Sequence, residues 1–260
     1  MRDFVRLEGV SMAYGRGAGA LKAVDGVTLS IARGEFAAVV GPSGCGKSSL
    51  MKLISGLHPA AAGTVAVEGQ PVRGPLKCVG MAFQHSNLLP WRSTLRNVLL
   101  PLEIVQPYRS AFSKEKRAFQ NKAQALLRSV GLEGFGEKYP WELSGGMQQR
   151  ASICRALIHE PEILLLDEPF GALDAFTREE LWCALRDLQA ARKVTVLLVT
   201  HDLREAVFLA DTVYVMSGRP GRLLRRCEVP LPRPRDLEVT YTEAFQAVVH
   251  ELRALIGGLH

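Results

Sequence analysis

The feature that most constrains this chain is Gly41-Pro42-Ser43-Gly44-Cys45-Gly46-Lys47-Ser48-Ser49, because of what stands on either side of it. Before it, Glu35-Phe36-Ala37-Ala38-Val39-Val40 is a short apolar run rich in strand formers. After it, Leu50-Met51-Lys52-Leu53-Ile54-Ser55-Gly56 has helical spacing and a glycine stop. Strand, glycine loop, Gly-Lys-Ser and helix is the setting in which such a loop cradles phosphate. Its glycines let the backbone wrap an anion, successive N–H groups point inward, and the helix N-terminus adds its positive dipole end. Lys47 can reach β- and γ-phosphates and the Ser48 hydroxyl can ligate Mg²⁺. Taken alone, the stretch leaves a second reading open, a glycine turn ahead of an ordinary helix.

Hydrolysis at such a loop needs a carboxylate-bearing strand nearby. Glu162-Ile163-Leu164-Leu165-Leu166-Asp167-Glu168 supplies one. Its unbroken apolar run reads as a buried parallel strand, and its carboxyl end is where α/β folds place ligands. Asp167 can hold Mg²⁺ through water, and Glu168 can orient and deprotonate an attacking water. Two solvated carboxylates at a strand end are the plain alternative. Gln84 follows the expected strand Val79–Phe83, and His201 follows Val194–Thr200. Gln84 could sense the metal or the water, and His201 could hydrogen-bond a γ-phosphate. Each is also a residue type that simply sits in solvent at a strand end. Ser144-Gly145-Gly146 opens another helix, a second anion-binding N-terminus. Physics alone does not say why one nucleotide should need two.

The 260 residues suit one domain of ordinary size, and 47% hydrophobic with 22% charged residues is a globular composition. No signal-peptide pattern follows Met1-Arg2-Asp3, and no apolar run approaches the length that spans a bilayer. The five cysteines are odd in number and without a C-x-x-C pair, so neither a disulfide framework nor a zinc site is expected and a reducing compartment is. The net charge of +6 is dispersed apart from Arg219, Arg222, Arg225 and Arg226, a patch that reads as a solvated basic face or as a site for anionic partners.

Along the chain, Phe4–Val10 alternates as a strand, Ser11–Gly19 reads as a glycine-containing loop, and Leu21–Ile31 alternates again. Gly63–Val67 is a further short strand. Helical character dominates from about 88 to 158. Thr94–Ile104 is a helix interrupted by Pro101. Ser113–Val130 is an amphipathic helix with Ser113 as its cap and Gly131 as its stop. A third helix starts near Ser144. The α/β rhythm then resumes with a helix over 174–191, the strand ending at Thr200, a helix over 202–210 and a strand over 212–216. Pro230, Pro232 and Pro234 read as a linker. A terminal helix with Phe245, Val248, Val249, Leu252, Leu255 and Ile256 on one stripe docks on its own domain.

Leu143-Ser144-Gly145-Gly146-Met147-Gln148-Gln149-Arg150 resembles the signature motif of ATP-binding-cassette (ABC) ATPases. With the glycine loop, Gln84, Asp167-Glu168, Gly171-Ala172-Leu173-Asp174 and His201, the family's motifs stand in family order over about residues 4–226. Pro90-Trp91, Phe170–Asp174 and Met216-Ser217-Gly218-Arg219-Pro220-Gly221-Arg222 resemble the nitrate, sulfonate and taurine importer branch. The resemblance implies an α/β fold: a P-loop NTPase core with a mainly parallel sheet and flanking helices, an N-terminal antiparallel β subdomain, and an α-helical insert. It implies an ATPase domain over 1–230, with its helical subdomain at about 88–158, followed by a linker and helix over 231–260.

By the same resemblance, two copies form a head-to-tail homodimer with two ATPs sandwiched between them. Tyr14 stacks on adenine. Gly41, Pro42, Ser43, Gly44, Cys45, Gly46, Lys47, Ser48 and Ser49 hold the phosphates. Ser48, Gln84 and Asp167 serve Mg²⁺. Glu168 is the catalytic base, supported by His201, Gln84 and Lys47, and Ser144, Gly145, Gly146 and Met147 cap the γ-phosphate of the sister copy. Asp174 lies in the loop linking the two sites. Transmembrane permease subunits would hold the protein at the cytoplasmic face of the membrane, Gln84–Asn97 would touch them, and an extracytoplasmic solute-binding protein would be an indirect partner. Met147 stands where Gln is commonest and Gly171 where Ser is usual, but neither change removes the serine or glycines that meet phosphate. A soluble ABC-type ATPase acting on nucleic acid or ribosomes is the alternative, although such proteins usually carry two cassettes or long coiled arms. A regulatory module without turnover is a third, against which Glu168 and His201 speak. Cys45, beside Lys47 and a helix N-terminus, reads either as a reactive thiolate or as a small filler.

Overall fold

A computed structural model describes residues 3–15, 19–171 and 173–257 of the chain. Internal contacts group it into two units, Met1–Leu76 with Lys193–His260, and Lys77–Arg192.

In the first unit, β1 (Asp3–Tyr14), β2 (Leu21–Ala32), β4 (Ala62–Val67) and β5 (Gln70–Pro71) form an antiparallel sheet in the order β2-β1-β4-β5. Alternation in β1 and β2 puts Val5, Leu7, Val10 and Met12 with Val24, Val27, Leu29 and Ile31 in the core. Strand β1 runs on through Tyr14, so Ser11–Tyr14, expected to open a loop, are strand. Met12–Tyr14 pair across from Leu21–Val24 and Ser11 with Ala62 of β4, and these ladders are announced by no local pattern. Residues 16–18 of the expected loop lie outside the described residues.

The other strands of this unit are β3 (Phe36–Val40), β8 (Thr195–Thr200), β9 (Thr212–Met216) and β10 (Leu223–Glu228), in the order β10-β9-β3-β8. Strand β3 pairs in parallel with both β8 and β9 and every one of its residues is buried, as its continuous apolar run requires. Helices α1 (Lys47–Ile54), α7 (Leu203–Leu209) and α8 (Glu243–Gly257) complete the unit. On α8, Phe245 and Leu252 are buried, and the helix packs on α7 and β9. The proline-rich segment before α8 is pinned rather than slack. Arg235 is buried there and donates to the carbonyls of Val207, Phe208 and Ala210 at the end of α7, and to those of Val229 and Leu231. Arg233 reaches Asp211.

The second unit pairs β6 (Val79–Ala82) in parallel with β7 (Ile163–Asp167) and surrounds them with α2 (Thr94–Ile104), the single turn α3 (Tyr108–Ala111), α4 (Lys116–Ser129), α5 (Gly145–Leu157) and α6 (Ala175–Arg192). Helix α2 continues through Pro101. Ser113 does not cap α4: Glu115 holds the cap position without a side-chain hydrogen bond, because α3 and the turn after it take up the residues before it. The helix ends at Gly131, whose φ is +73°. No helix of the described residues is long and apolar enough to cross a membrane.

Candidate functional site

The glycine loop joins β3 to α1, and three of its glycines are there because nothing larger fits or turns. Gly46 has φ +101°, and a Cβ on it would lie 2.5 Å from the Ala23 carbonyl oxygen. A Cβ on Gly41 would lie 2.9 Å from the Met216 carbonyl oxygen. Gly44 has φ +73°. Lys47 is buried at the start of α1, and its Nζ donates to the Gly41 and Pro42 carbonyls at 2.9 and 3.1 Å. These two bonds tie the start of the loop to the ammonium. Ser43, Gly44 and Ser48 are exposed. Ser49 is buried and turns its hydroxyl to the Tyr14 phenol, 3.2 Å away.

Tyr14 is half-exposed at the end of β1. Lys52 donates to its hydroxyl and sits 5.3 Å from the ring centroid, and His58 meets the ring edge-on. Partial burial pushes the phenol upward, but the Ser49 and Lys52 hydrogen bonds and the Lys52 charge outweigh it and leave the pKa lowered. The ring is thus held beside α1, between Ser49, Lys52 and His58. Cys45 is 1% exposed, so of its two readings the filler fits, since a packed thiol does not meet alkylating agents.

Because β3 and β8 are parallel with Val40 opposite Thr200, Gly41 and His201 leave the sheet at the same edge. His201 is exposed there. The turn that carries it is fixed from behind: Thr200 Oγ1 donates to the buried Glu205 carboxylate and accepts from Asp202 N, while Asp202 caps α7 through the Arg204 and Glu205 amides.

The second unit repeats this arrangement with other chemistry. Ala82 lies opposite Leu166, so Gln84 and the pair Asp167-Glu168 also emerge from one edge of parallel strands. Glu168 has φ +45°, a conformation a non-glycine residue adopts only where its surroundings impose it. A Cβ on Gly171 would lie 3.6 Å from Gln84 Nε2, an ordinary contact, so the serine usual at this position has room. Ala172 of the same stretch lies outside the described residues. Asp174 accepts from the Thr177 amide near the start of α6, and those hydrogen bonds hold its carboxyl below the usual range.

Ser144 caps α5, its hydroxyl accepting from Met147 N at 3.3 Å. The two glycines after it differ. A Cβ on Gly146 would meet Thr177 Cγ2 at 2.4 Å, so this glycine allows close packing on α6, whereas Gly145 faces open space. Below them, Gln149 donates to the Phe83 carbonyl and Arg155 to those of Ser86 and Asn87. The buried Asn97 donates to the Leu89 and Arg92 carbonyls and accepts from Leu89 N. These side chains shape the segment after Gln84 and leave Trp91 71% exposed. Sequence reasoning missed Asn97 and Arg155; a polar side chain at a core-facing position of a helix, as Asn97 is, was the one signal that could have marked the first.

The family model described as ABC transporter matches residues 24–171. The aliphatic sulfonates import ATP-binding protein SsuB of Bacillus licheniformis is 43% identical over 224 residues, covering 86% of this chain and 84% of that protein. The nitrate import ATP-binding protein NrtD of Synechocystis sp. is 44% identical over 246 residues, covering 92% of this chain and 90% of that one. A solved dimeric ATP-binding cassette in a post-hydrolysis state, bound to ADP and Pi, matches with a TM-score of 0.76 and 34% identity, covering 88% of this chain and 100% of that one.

Proposed function

The chain belongs to the ABC transporter family, and on that footing we propose that it is the ATP-hydrolysing subunit of an importer that takes up a small solute, of the nitrate, sulfonate or taurine kind, through partner membrane subunits. The observation that carries the reading is chemical division of labour at strand ends. A phosphate-cradling loop and His201 share one edge in one unit, and Gln84 and the Asp167-Glu168 pair share one edge in the other. In this reading residues 1–230 form the ATPase domain, with the helical subdomain at about 88–158, and 231–260 is appended to it.

The loop amides from Gly41 to Ser49 and the Lys47 ammonium bind the triphosphate, and Tyr14 stacks on the adenine. Ser48, Gln84 and Asp167 offer a hydroxyl, an amide and a carboxylate, hard oxygen donors of the kind Mg²⁺ accepts beside substrate phosphates. Bound there, the ion would neutralise charge developing on the phosphoryl oxygens. Glu168 accepts the proton of the water whose oxygen attacks the γ-phosphorus as the bond to the ADP oxygen breaks, and His201 hydrogen-bonds the γ-phosphate. Ser144 to Met147 of a sister copy close over the same phosphate. Closure on ATP and reopening after hydrolysis turn chemical energy into a rocking motion passed to the membrane subunits. Their transport specificity rests with the permease and a solute-binding protein outside the membrane, and this subunit works peripherally on the cytoplasmic face.

Lys47→Ala is expected to weaken MgATP binding at least roughly tenfold, the loss of a charge-assisted contact to phosphate. Isothermal titration checks it, and unchanged affinity would remove Lys47 from the phosphate site. Trp91 is the anchor for a helix of the membrane subunit, since a large exposed indole on a braced loop is costly without a partner. In the reassembled transporter, Trp91→Ala is expected to abolish uptake while basal ATPase stays within about twofold. Loss of both together would mean that the indole only supports its own loop.

A further inference from the structure

The turn from Ser217 to Arg222 joins β9 to β10 and lies against the glycine loop, 175 residues away along the chain. Arg219 Nε donates to the Gly44 carbonyl at 3.1 Å. The same guanidinium closes over Gly44, where a Cβ would lie 3.0 Å from Arg219 Nη2. Gly221 touches the next peptide: a Cβ on it would come within 1.9 Å of the Cys45 carbonyl oxygen.

The turn itself is a stiff mount. Ser217 N donates to the Arg222 carbonyl, and the Ser217 hydroxyl accepts from Arg222 N and reaches the Pro220 carbonyl. It is bolted to β2 by Gly221 N to the Ala23 carbonyl, Asp25 N to the Gly221 carbonyl, and the forked contact of Arg222 with Asp25 at 3.1 and 2.6 Å. Lys22 also donates to Asp25, and the hydrogen bonds from Lys22 and Arg222 hold that carboxyl below its usual range. Ala23, in turn, is the residue whose carbonyl backs Gly46. Gly44 and Gly46 therefore rest on one platform.

In a trans peptide the C=O and N–H point in opposite directions. Fixing the Gly44 carbonyl toward Arg219 turns the Cys45 N–H to the opposite side of that peptide, the side of the Pro42 carbonyl, to which it donates at 3.4 Å. Gly44, with no side chain and φ +73°, would otherwise let this peptide flip at little cost. From this we infer that Arg219 is a positioning residue for ATP binding: it holds the tip of the phosphate loop with its amide aimed at the anion before nucleotide arrives. The inference rests on the ATPase reading and adds to it a residue that touches neither phosphate nor metal.

The test uses the full-length protein, comparing wild type, Arg219→Ala and Arg219→Lys by steady-state ATPase kinetics and by MgATP titration. Arg219→Ala is expected to raise KM and the MgATP dissociation constant about fivefold, the scale of one exposed charge-assisted hydrogen bond, with kcat within about twofold. Arg219→Lys keeps a cationic donor and is expected to recover most of that loss. Wild-type KM in Arg219→Ala would overturn the inference. So would a fall in kcat with KM unchanged, or a lysine variant no better than alanine, since either marks a role outside loop orientation. A wild-type chain that binds no MgATP would overturn the ATPase reading as well, which separates the two failures.

Discussion

Glu168→Gln is expected to bind MgATP as wild type does, to turn over at least about 100-fold more slowly, and to accumulate as a dimer in the presence of MgATP. Replacing the carboxylate by an amide of nearly the same size removes the proton acceptor and the negative charge but leaves the shape of the strand end. Glu168 is well suited to show this, because its backbone is already set at φ +45°, between Pro169 and the end of the buried strand β7. The substitution therefore does not release a side chain to wander. If Glu168 is the base, the closed state with uncleaved triphosphate becomes long-lived, and Ser144 to Met147 of one copy remain seated on the nucleotide of the other. Size-exclusion chromatography with MgATP and a single-turnover phosphate assay read the two consequences separately. Undiminished turnover with monomer alone would defeat both the assignment of the base and the shared site.

Arg235→Ala is expected to destabilise the protein by about 3 kcal/mol, a fall of roughly 6–12 °C in Tm for a chain of this size. Five carbonyls converge on the buried guanidinium, three of them from Val207, Phe208 and Ala210, the residues around the C-terminus of α7. Helix ends leave carbonyls without intrahelical partners, and here one planar cation satisfies a group of them at once. Burial, with Arg233 adding to it, lowers the guanidinium pKa to about 10, which still leaves it charged at neutral pH. Alanine would strand those carbonyls away from water and loosen the segment that seats Phe245 and Leu252 of α8. Calorimetry of the purified chain measures the loss. A Tm within 1 or 2 °C of wild type would mean that water replaces the side chain without cost.

The elements that place the candidate site were largely legible, and for a local reason. A strand buried on both faces must be apolar throughout, so Phe36–Val40, Ile163–Leu166 and Thr195–Thr200 declare themselves, and residues at their carboxyl ends follow by counting. Ser144 as a helix cap and Gly131 as a helix stop are likewise written in a few adjacent residues. Strand β10 was not legible: Leu223–Glu228 carries two arginines and no clean alternation, and it is strand because β9 offers it an edge. Ser113 failed as a cap because the chain before α4 had already closed a helical turn of its own.

The basic patch shows the same division. In sequence, Arg219, Arg222 and Arg226 are alike. In the fold, Arg219 grips Gly44, Arg222 pairs with Asp25 and Arg226 pairs with Glu228. Sequence alone determined that this chain carries a phosphate loop, a carboxylate strand end and a Ser-Gly-Gly helix start, because each is a contiguous pattern whose chemistry depends on near neighbours. Only the tertiary structure decided that the Cys45 thiol is buried, that the tail is stitched by Arg235, and that the loop's tip is held by an arginine from the β9–β10 turn. Those contacts join residues far apart along the chain, and packing, not spacing, brings them within hydrogen-bond reach.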